Sequence, residues 1–100
     1  MNSKVGEKVF QDEESFYIPL PNSNRAFLKY YIEKGKMYIL STYTPPEYRG
    51  VGLASKLMEE AVKFASKNNL KIVPLCSYAK HYMDEHTELR SIVDRHNQTF

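Results

Sequence analysis

The sequence predicts an α/β fold in which an antiparallel meander is joined to one parallel strand–helix–strand unit. Two stretches of alternating apolar and polar residues, Arg25–Ile32 and Met37–Tyr43, indicate a β-hairpin. Apolar residues then recur at helical spacing from Ala54 to Ala65, and the short apolar segment Leu70–Leu75 indicates a further, buried strand. We therefore expect a mainly antiparallel sheet with the parallel pair at its centre and helices packed on it.

Size and composition limit the classes of protein that fit. The chain has 100 residues, of which 42% are apolar and 26% are charged, and this predicts a single domain over residues 1–100. The net charge of +2 is spread along the chain, so we expect neither a nucleic-acid nor a membrane partner. This charge is still compatible with a weakly basic pocket for one anionic ligand. The sequence has a single cysteine, Cys76, and shows neither a signal-peptide pattern nor an apolar run of about 18 residues. We therefore expect a cytoplasmic protein.

The first half of the chain is predicted to form the meander. A first strand is expected over Lys8–Gln11 and a second over Ser15–Leu20, with an acidic cluster between them. The two hairpin strands follow, joined by the turn Glu33–Lys36, which contains the glycine that tight turns favour. Pro45 and Pro46 break the fourth strand, since proline donates no backbone hydrogen bond.

The second half is predicted to alternate helix and strand. The long helix should stop at Asn68 and Asn69, before the buried strand. Ser77 is then the expected N-cap of a helix over Tyr78–Asp84, and Thr87 that of another helix over Glu88–Arg95.

The predicted topology indicates where a ligand should bind. A strand–helix–strand connection makes a right-handed crossover between parallel strands, whose ends lie at one edge of the sheet. The 44–50 loop and Cys76 should therefore share an edge, and ligands of open α/β sheets usually bind at such an edge.

Gly50 and Gly52 lie between a strand and a helix start, where small residues let backbone N–H groups approach phosphate oxygens. A tight turn that packs the helix on the sheet explains the two glycines equally well. Two other phosphate loops fit worse, because the pattern Gly-x4-Gly-Lys-Ser/Thr is absent and Ser55 stands where the dinucleotide fingerprint needs a third small residue.

The segment Arg49-Gly50-Val51-Gly52-Leu53-Ala54 resembles the Arg/Gln-x-x-Gly-x-Gly/Ala signature of the GNAT superfamily of acyl-CoA-dependent N-acyltransferases. The preceding Pro46-Glu47-Tyr48 also looks like the lead-in of that family, and the resemblance covers roughly residues 25–83. The Cys76-Ser77-Tyr78 segment is similar to a short single-domain branch of the superfamily. A GNAT-like fold, reduced in size, is thus implied.

The resemblance implies acetyl-CoA or coenzyme A as cofactor. It places the pyrophosphate on backbone N–H groups of the glycine loop, the pantetheine arm beside main-chain groups of the preceding strand end, and an arginine charge near the phosphates. The implied cofactor-binding residues are Tyr43, Thr44, Arg49, Gly50, Val51, Gly52, Leu53, Ala54 and Ser55. The 20–25 loop is too short for the two helices that full-length members carry there, so part of the usual acceptor-binding wall should be missing.

Three residues are the leading candidates for catalysis. Cys76 ends a strand beside a helix start, where it could accept the acetyl group, although free cysteines are also among the most buried residues. Tyr78 and Tyr82 lie four residues apart, and either could protonate the departing thiolate. His81 could act as a base or be an ordinary surface histidine. The spacing of Cys76, His81 and His86 does not match recognised zinc sites, so no metal is expected.

Two functions are compatible with these residues. The first is acetyl transfer from acetyl-CoA to a primary amine on a small molecule or a protein. The second is a non-catalytic CoA-binding module whose Cys76 becomes acetylated as a sensor or carrier.

Overall fold

The computed structural model describes residues 8–94 and confirms the predicted fold class. A five-stranded sheet has the order β1-β2-β3-β4-β5. Its strands are β1 Phe10–Gln11, β2 Ser15–Pro19, β3 Arg25–Glu33, β4 Lys36–Tyr43 and β5 Lys71–Pro74. The helices are α1 Leu53–Lys67 and α2 Ser77–Glu85, and three 3-10 turns lie at Pro21–Ser23, Pro46–Tyr48 and Thr87–Ile92.

The β3–β4 hairpin forms where the alternating pattern predicted it. Glu33 pairs with Lys36, so the turn has two central residues, Lys34 with φ 52° and Gly35 with φ 78°. Positive φ at both positions gives the turn the twist of the flanking strands. The register shifts between Lys29 and Tyr30, which leaves Leu40 of β4 without a partner on β3. This is a β-bulge, and it bends the end of β4.

The parallel pair lies at the edge of the sheet, and the expectation that it lies at the centre is wrong. β4 and β5 are parallel, from Lys36 opposite Lys71 to Ile39 opposite Pro74, and β5 is the last strand of the order. Beyond β5 the described chain adds only an isolated parallel bridge between Ile72 and Val93. Among the described residues after α2 there is a 3-10 turn and this bridge, but no strand that would make the pair central.

One hydrophobic core holds the sheet and both helices together. The inward side chains of β3, Ala26, Leu28 and Tyr30, are buried against the apolar stripe of α1. The stripe and its partners on α2 comprise Leu53, Leu57, Met58, Ala61, Ala65, Ala79, Tyr82 and Met83. The helical spacing of the α1 residues explains why one face of that helix is apolar and the other is polar.

The structure corrects two expectations about the second half of the chain. Cys76, not Ser77, is the N-cap of α2, because the Sγ atom of Cys76 accepts the N–H of Ala79 at 3.4 Å. The helix predicted over Glu88–Arg95 is a 3-10 turn that ends at Ile92. Val93 then bridges to β5, and the N–H of Asp94 donates to the Ile72 carbonyl at 2.8 Å, so the chain becomes extended there. Arg95 lies outside the described residues.

Candidate functional site

The parallel pair opens at Ile39, and this opening creates the site. The Ile39 carbonyl accepts two N–H groups, from Leu75 at 3.0 Å and from Cys76 at 3.2 Å. Pairing of β4 with β5 stops at Ile39, and the bulge at Leu40 follows at once. The last residues of β4 therefore have no β5 partner in the described part of the chain. Their backbone groups on that side are open to a ligand that pairs as a strand does.

A cavity of about 430 Å³ lies at this opening. The residues that line it are Thr42, Tyr43, Thr44, Tyr48, Arg49, Gly50, Gly52, Leu53, Ala54 and Tyr78. Eight of the site residues predicted from the sequence are among them, from the strand end, the glycine loop and α2. Val51 is 69% exposed and, like Ser55, Cys76 and Tyr82, lies outside this lining.

The glycine loop has the backbone that only glycine adopts easily. Gly50 has φ 85° and Gly52 has φ 87°, both in the left-handed region. Gly52 is the N-cap of α1, and as a glycine it supplies no side chain to cap the first N–H groups of the helix. The first helical hydrogen bond runs from Lys56 N–H to the Gly52 carbonyl at 3.0 Å. The first turn also lacks an acidic residue, so its N–H groups can receive an anion.

Arg49 holds the loop to the end of β4. Its Nε atom donates to the Thr44 carbonyl at 2.8 Å. The 3-10 turn between these residues adds hydrogen bonds from Tyr48 N–H to the Pro45 carbonyl at 2.9 Å and from Arg49 N–H to the Pro46 carbonyl at 3.3 Å. The guanidinium group thus uses its Nε donor on the Thr44 carbonyl, and Arg49 is also one of the residues that line the cavity. A phosphate contact by Arg49 stays a prediction.

Cys76 lies at the junction of β5 and α2, at the edge of the sheet where the topology predicted it. Its thiol is half-buried and packs against the core. As the N-cap, the sulfur lies at the positive end of the α2 helix dipole and accepts the Ala79 N–H. Cys76 therefore combines a structural role with partial access, although it does not line the cavity.

The two candidate tyrosines differ in their surroundings. Tyr78 lines the cavity, and burial raises its pKa while a hydrogen bond with the Ser55 side chain partly opposes this rise. Tyr82 belongs to the core, where burial followed by the charge of Glu59 raises its pKa. The Tyr82 ring stacks on His86, with centroids 4.0 Å apart. Both hydroxyl groups stay protonated near neutral pH, but only Tyr78 faces the cavity.

Two cavity residues and one contact were missed by the sequence analysis. Thr42 lines the cavity because the bulge at Leu40 shifts the alternation of side chains along β4, so that Thr42 is on the face that packs against α1. No sequence pattern indicates that bulge. Tyr48 lines the cavity from the 3-10 turn, and its only signal was the Pro46-Glu47-Tyr48 lead-in. The Ser55 side chain of α1 also lies near enough to Tyr78 of α2 to lower the pKa of that phenol against the larger rise that burial causes.

His81 does not line the cavity. It is exposed and pairs with Glu85 at 3.3 Å. Among residues 8–94, no group of three or more His, Cys, Asp or Glu side chains could hold a metal ion. Within the same described stretch, neither helix has the length and apolar character needed to cross a bilayer.

Comparison with known proteins gives the context for this cavity. The sequence profile of the GCN5-related N-acetyl-transferase family matches residues 15–92, which include every strand and helix from β2 to the last 3-10 turn. The solution structure of a Staphylococcus aureus protein, described as a GCN5-like candidate N-acetyltransferase, is similar with a TM-score of 0.65 and 28% sequence identity. That likeness covers 93% of this chain and 96% of the other. The chain therefore belongs to the GCN5-related N-acetyltransferase family.

Proposed function

We propose that this protein transfers an acetyl group from acetyl-CoA to a primary amine. The observation that carries the proposal is the convergence of three features on one cavity: the open end of β4, the uncapped start of α1 at Gly52, and the phenol of Tyr78. Membership of the family supports acetyl-CoA as the acyl donor.

The cofactor is proposed to bind along this cavity. Its pyrophosphate would lie on the N–H groups of the glycine loop and first helical turn, residues 50–55, because these groups lack intrahelical partners. Its pantetheine amides would pair with main-chain groups near Tyr43 and Thr44, where β4 has lost its partner strand. The Thr44 carbonyl already accepts from Arg49, so Thr42 and Tyr43 supply most of the remaining backbone groups.

The reaction requires a thioester as acyl donor, which acetyl-CoA supplies. It also requires proton transfers, for which the chain must provide the donating group. The neutral amine forms a bond to the acetyl carbon as the carbon–sulfur bond breaks. Tyr78, protonated at neutral pH, donates its proton to the departing sulfur, and the amine nitrogen loses a proton to solvent. Tyr78 then regains a proton. The backbone N–H groups at the strand opening are the available donors to the oxygen that becomes negative.

A second candidate function follows from the position of Cys76. The protein would then be a CoA-binding module or acetyl carrier, in which the acetyl group moves from the cofactor sulfur to Cys76 and the cysteine proton passes to coenzyme A. The half-buried thiol at the strand opening favours this candidate. If an amine later attacks the Cys76 thioester, this route becomes a two-step form of the first function.

Incubation with acetyl-CoA and a panel of primary amines tests both candidates. Mass spectrometry should detect N-acetylated product in catalytic excess over the protein if the first function is correct. One acetyl group retained on Cys76 without turnover would support the carrier. A protein that neither binds coenzyme A by calorimetry nor acetylates any amine would contradict both.

A further inference from the structure

The sheet face turned away from α1 carries a row of four aromatic rings. Phe10, Tyr17, Phe27 and Tyr43 come from β1, β2, β3 and β4, and each is in register with the next. The ring centroids are 5.7 Å apart for Phe10 and Tyr17 and 5.5 Å apart for Phe27 and Tyr43. None of the four belongs to the core, and Phe10 and Tyr43 are 41% and 43% exposed. We call this row the aromatic ladder.

Positive charges flank the aromatic ladder. Arg25 and Lys29 precede and follow Phe27 by two residues in β3, so they share its face of the sheet, and both are exposed. The Arg25 guanidinium lies 4.2 Å from the centroid of Tyr17, and Lys8 Nζ lies 5.3 Å from that of Phe10. Asp12 acts electrostatically on Arg25, but its carboxylate is engaged by the N–H groups of residues 14 and 15.

The aromatic ladder and the cavity share one residue. Tyr43 ends the row and also lines the cavity. With neighbouring strands about 4.8 Å apart, the row extends roughly 14 Å across the sheet, which matches about four residues of an extended peptide. A ligand lying along the row would therefore present one end at the strand opening.

We propose that the aromatic ladder binds a polypeptide acceptor, in which carboxylates alternate with aromatic or apolar side chains and whose amine enters the cavity past Tyr43. This inference rests on the proposed acetyl transfer. Arg25 and Lys29 lie on the same face of the sheet as the rings and attract carboxylates, as do the ring edges, which carry partial positive charge. The apolar side chains of the acceptor pack on the exposed parts of Phe10 and Tyr43, and the row has the length of a peptide segment rather than of a small amine.

Two other occupants fit the aromatic ladder less well. A second copy of the chain would bring Arg25 and Lys29 against the same cations, which repel. Single-stranded nucleic acid needs free ring faces on which its bases stack. Tyr17 offers none, because its ring stacks on Phe10 and lies under the Arg25 guanidinium.

Binding of matched decapeptides tests the proposal. Three peptides with a free amino terminus and a carboxyl-terminal fluorophore would be compared by fluorescence anisotropy in saturating coenzyme A. The first alternates Asp or Glu with Phe, the second replaces its acidic residues by Lys, and the third replaces its Phe residues by Ser. A labelled ten-residue oligothymidine is the fourth probe. We expect the first peptide to bind tightest, by about tenfold or more over each of the others.

Charge reversal on the sheet face identifies the surface. The Arg25→Glu/Lys29→Glu variant should weaken binding of the acidic aromatic peptide about tenfold or more. The control Lys63→Glu/Lys67→Glu makes the same change of charge on the exposed side of α1, and its affinity should stay within about twofold of the original. Coenzyme A affinity, measured by calorimetry, should be the same in all three proteins. Should Arg25→Glu/Lys29→Glu not fold, Lys29→Gln replaces it with a smaller loss expected in the same direction.

Several results would overturn the docking proposal. These are equal affinity for the three peptides, tighter binding of the oligothymidine, or unchanged affinity in the charge-reversed variant. Mass spectrometry supplies the second readout, since the acidic aromatic peptide should be acetylated fastest at its amino terminus. Failure of the original protein to bind coenzyme A would instead count against the proposed acetyl transfer, so the two failures are distinguishable.

Discussion

Valine at position 52 should separate the role of the glycine loop in coenzyme A binding from its role in stability. Gly52 has φ 87°, and a Cβ added there meets no atom within 4 Å. The main cost of Gly52→Val to the folded state is therefore backbone strain at this N-cap position, about 1–3 kcal/mol. The protein should stay folded, because a chain of this size has an unfolding free energy of about 5–15 kcal/mol. The empty space that the side chain would fill is where the pyrophosphate is proposed to lie.

Gly35 provides the matched control. It has φ 78° in the hairpin turn, and an added Cβ there also meets nothing within 4 Å. Gly35→Val should thus lose a similar amount of stability, and both melting temperatures should fall by roughly 4–8 °C for each kcal/mol lost. Calorimetric titration should find coenzyme A affinity reduced about tenfold or more in Gly52→Val and unchanged in Gly35→Val. Equal affinities in the two variants would refute the placement of the pyrophosphate on this loop.

Three further predictions concern the ligand, the catalytic groups and the Asp12 carboxylate. Acetyl-CoA or coenzyme A at 100 times its dissociation constant should stabilise the protein by about 2.7 kcal/mol in a thermal-shift assay. NADH and ATP should stabilise it much less. The absence of a shift with coenzyme A would contradict the cofactor assignment. Tyr78→Phe should lower the rate of direct transfer roughly 100-fold while Cys76→Ala keeps most of it, and transfer through the cysteine would give the opposite result. Hydrogen bonds from Glu14 and Ser15 lower the pKa of Asp12 below 3.8, so its contribution to stability is present above that pH and lost as the pH falls through the lowered value. The Asp12→Ala variant should therefore be less stable than the original protein near pH 7, and this difference in unfolding free energy should shrink below about pH 3.8 in acid denaturation experiments. A difference that does not change with pH would exclude a contribution from the Asp12 charge.

The sequence predicted those features that depend on local pattern. The hairpin follows from alternation and a glycine turn, α1 from the spacing of its apolar residues, and the shared edge of the 44–50 loop and Cys76 from the handedness of the crossover. The predicted residues that line the cavity all lie in the loop, the strand end or the start of a helix. Their meeting follows from topology once the signature is recognised.

The features that the sequence did not predict depend on contacts between distant segments. The bulge at Leu40 is set by pairing with β3, and nothing in the residues around it marks an extra position. Cys76 replaces Ser77 as the helix cap because the Ile39 carbonyl draws both Leu75 and Cys76 N–H groups to β4, which fixes where the chain can turn. The aromatic ladder needs the register of four strands, so the scattered positions of its rings along the chain did not reveal it.

The short contact between β4 and β5 also bears on how the protein folds. Lys36 and Lys71 are brought opposite one another although the whole of α1 lies between them, whereas the β3–β4 hairpin closes over two residues. Closing the longer loop costs more chain entropy, so the hairpin and α1 should acquire structure before β5 docks. The strand opening exists only after that docking. We therefore expect the backbone amides of β5 to exchange hydrogen with a lower free energy of opening than those of β3. A bound cofactor should slow hydrogen exchange more in β5 than in the other strands.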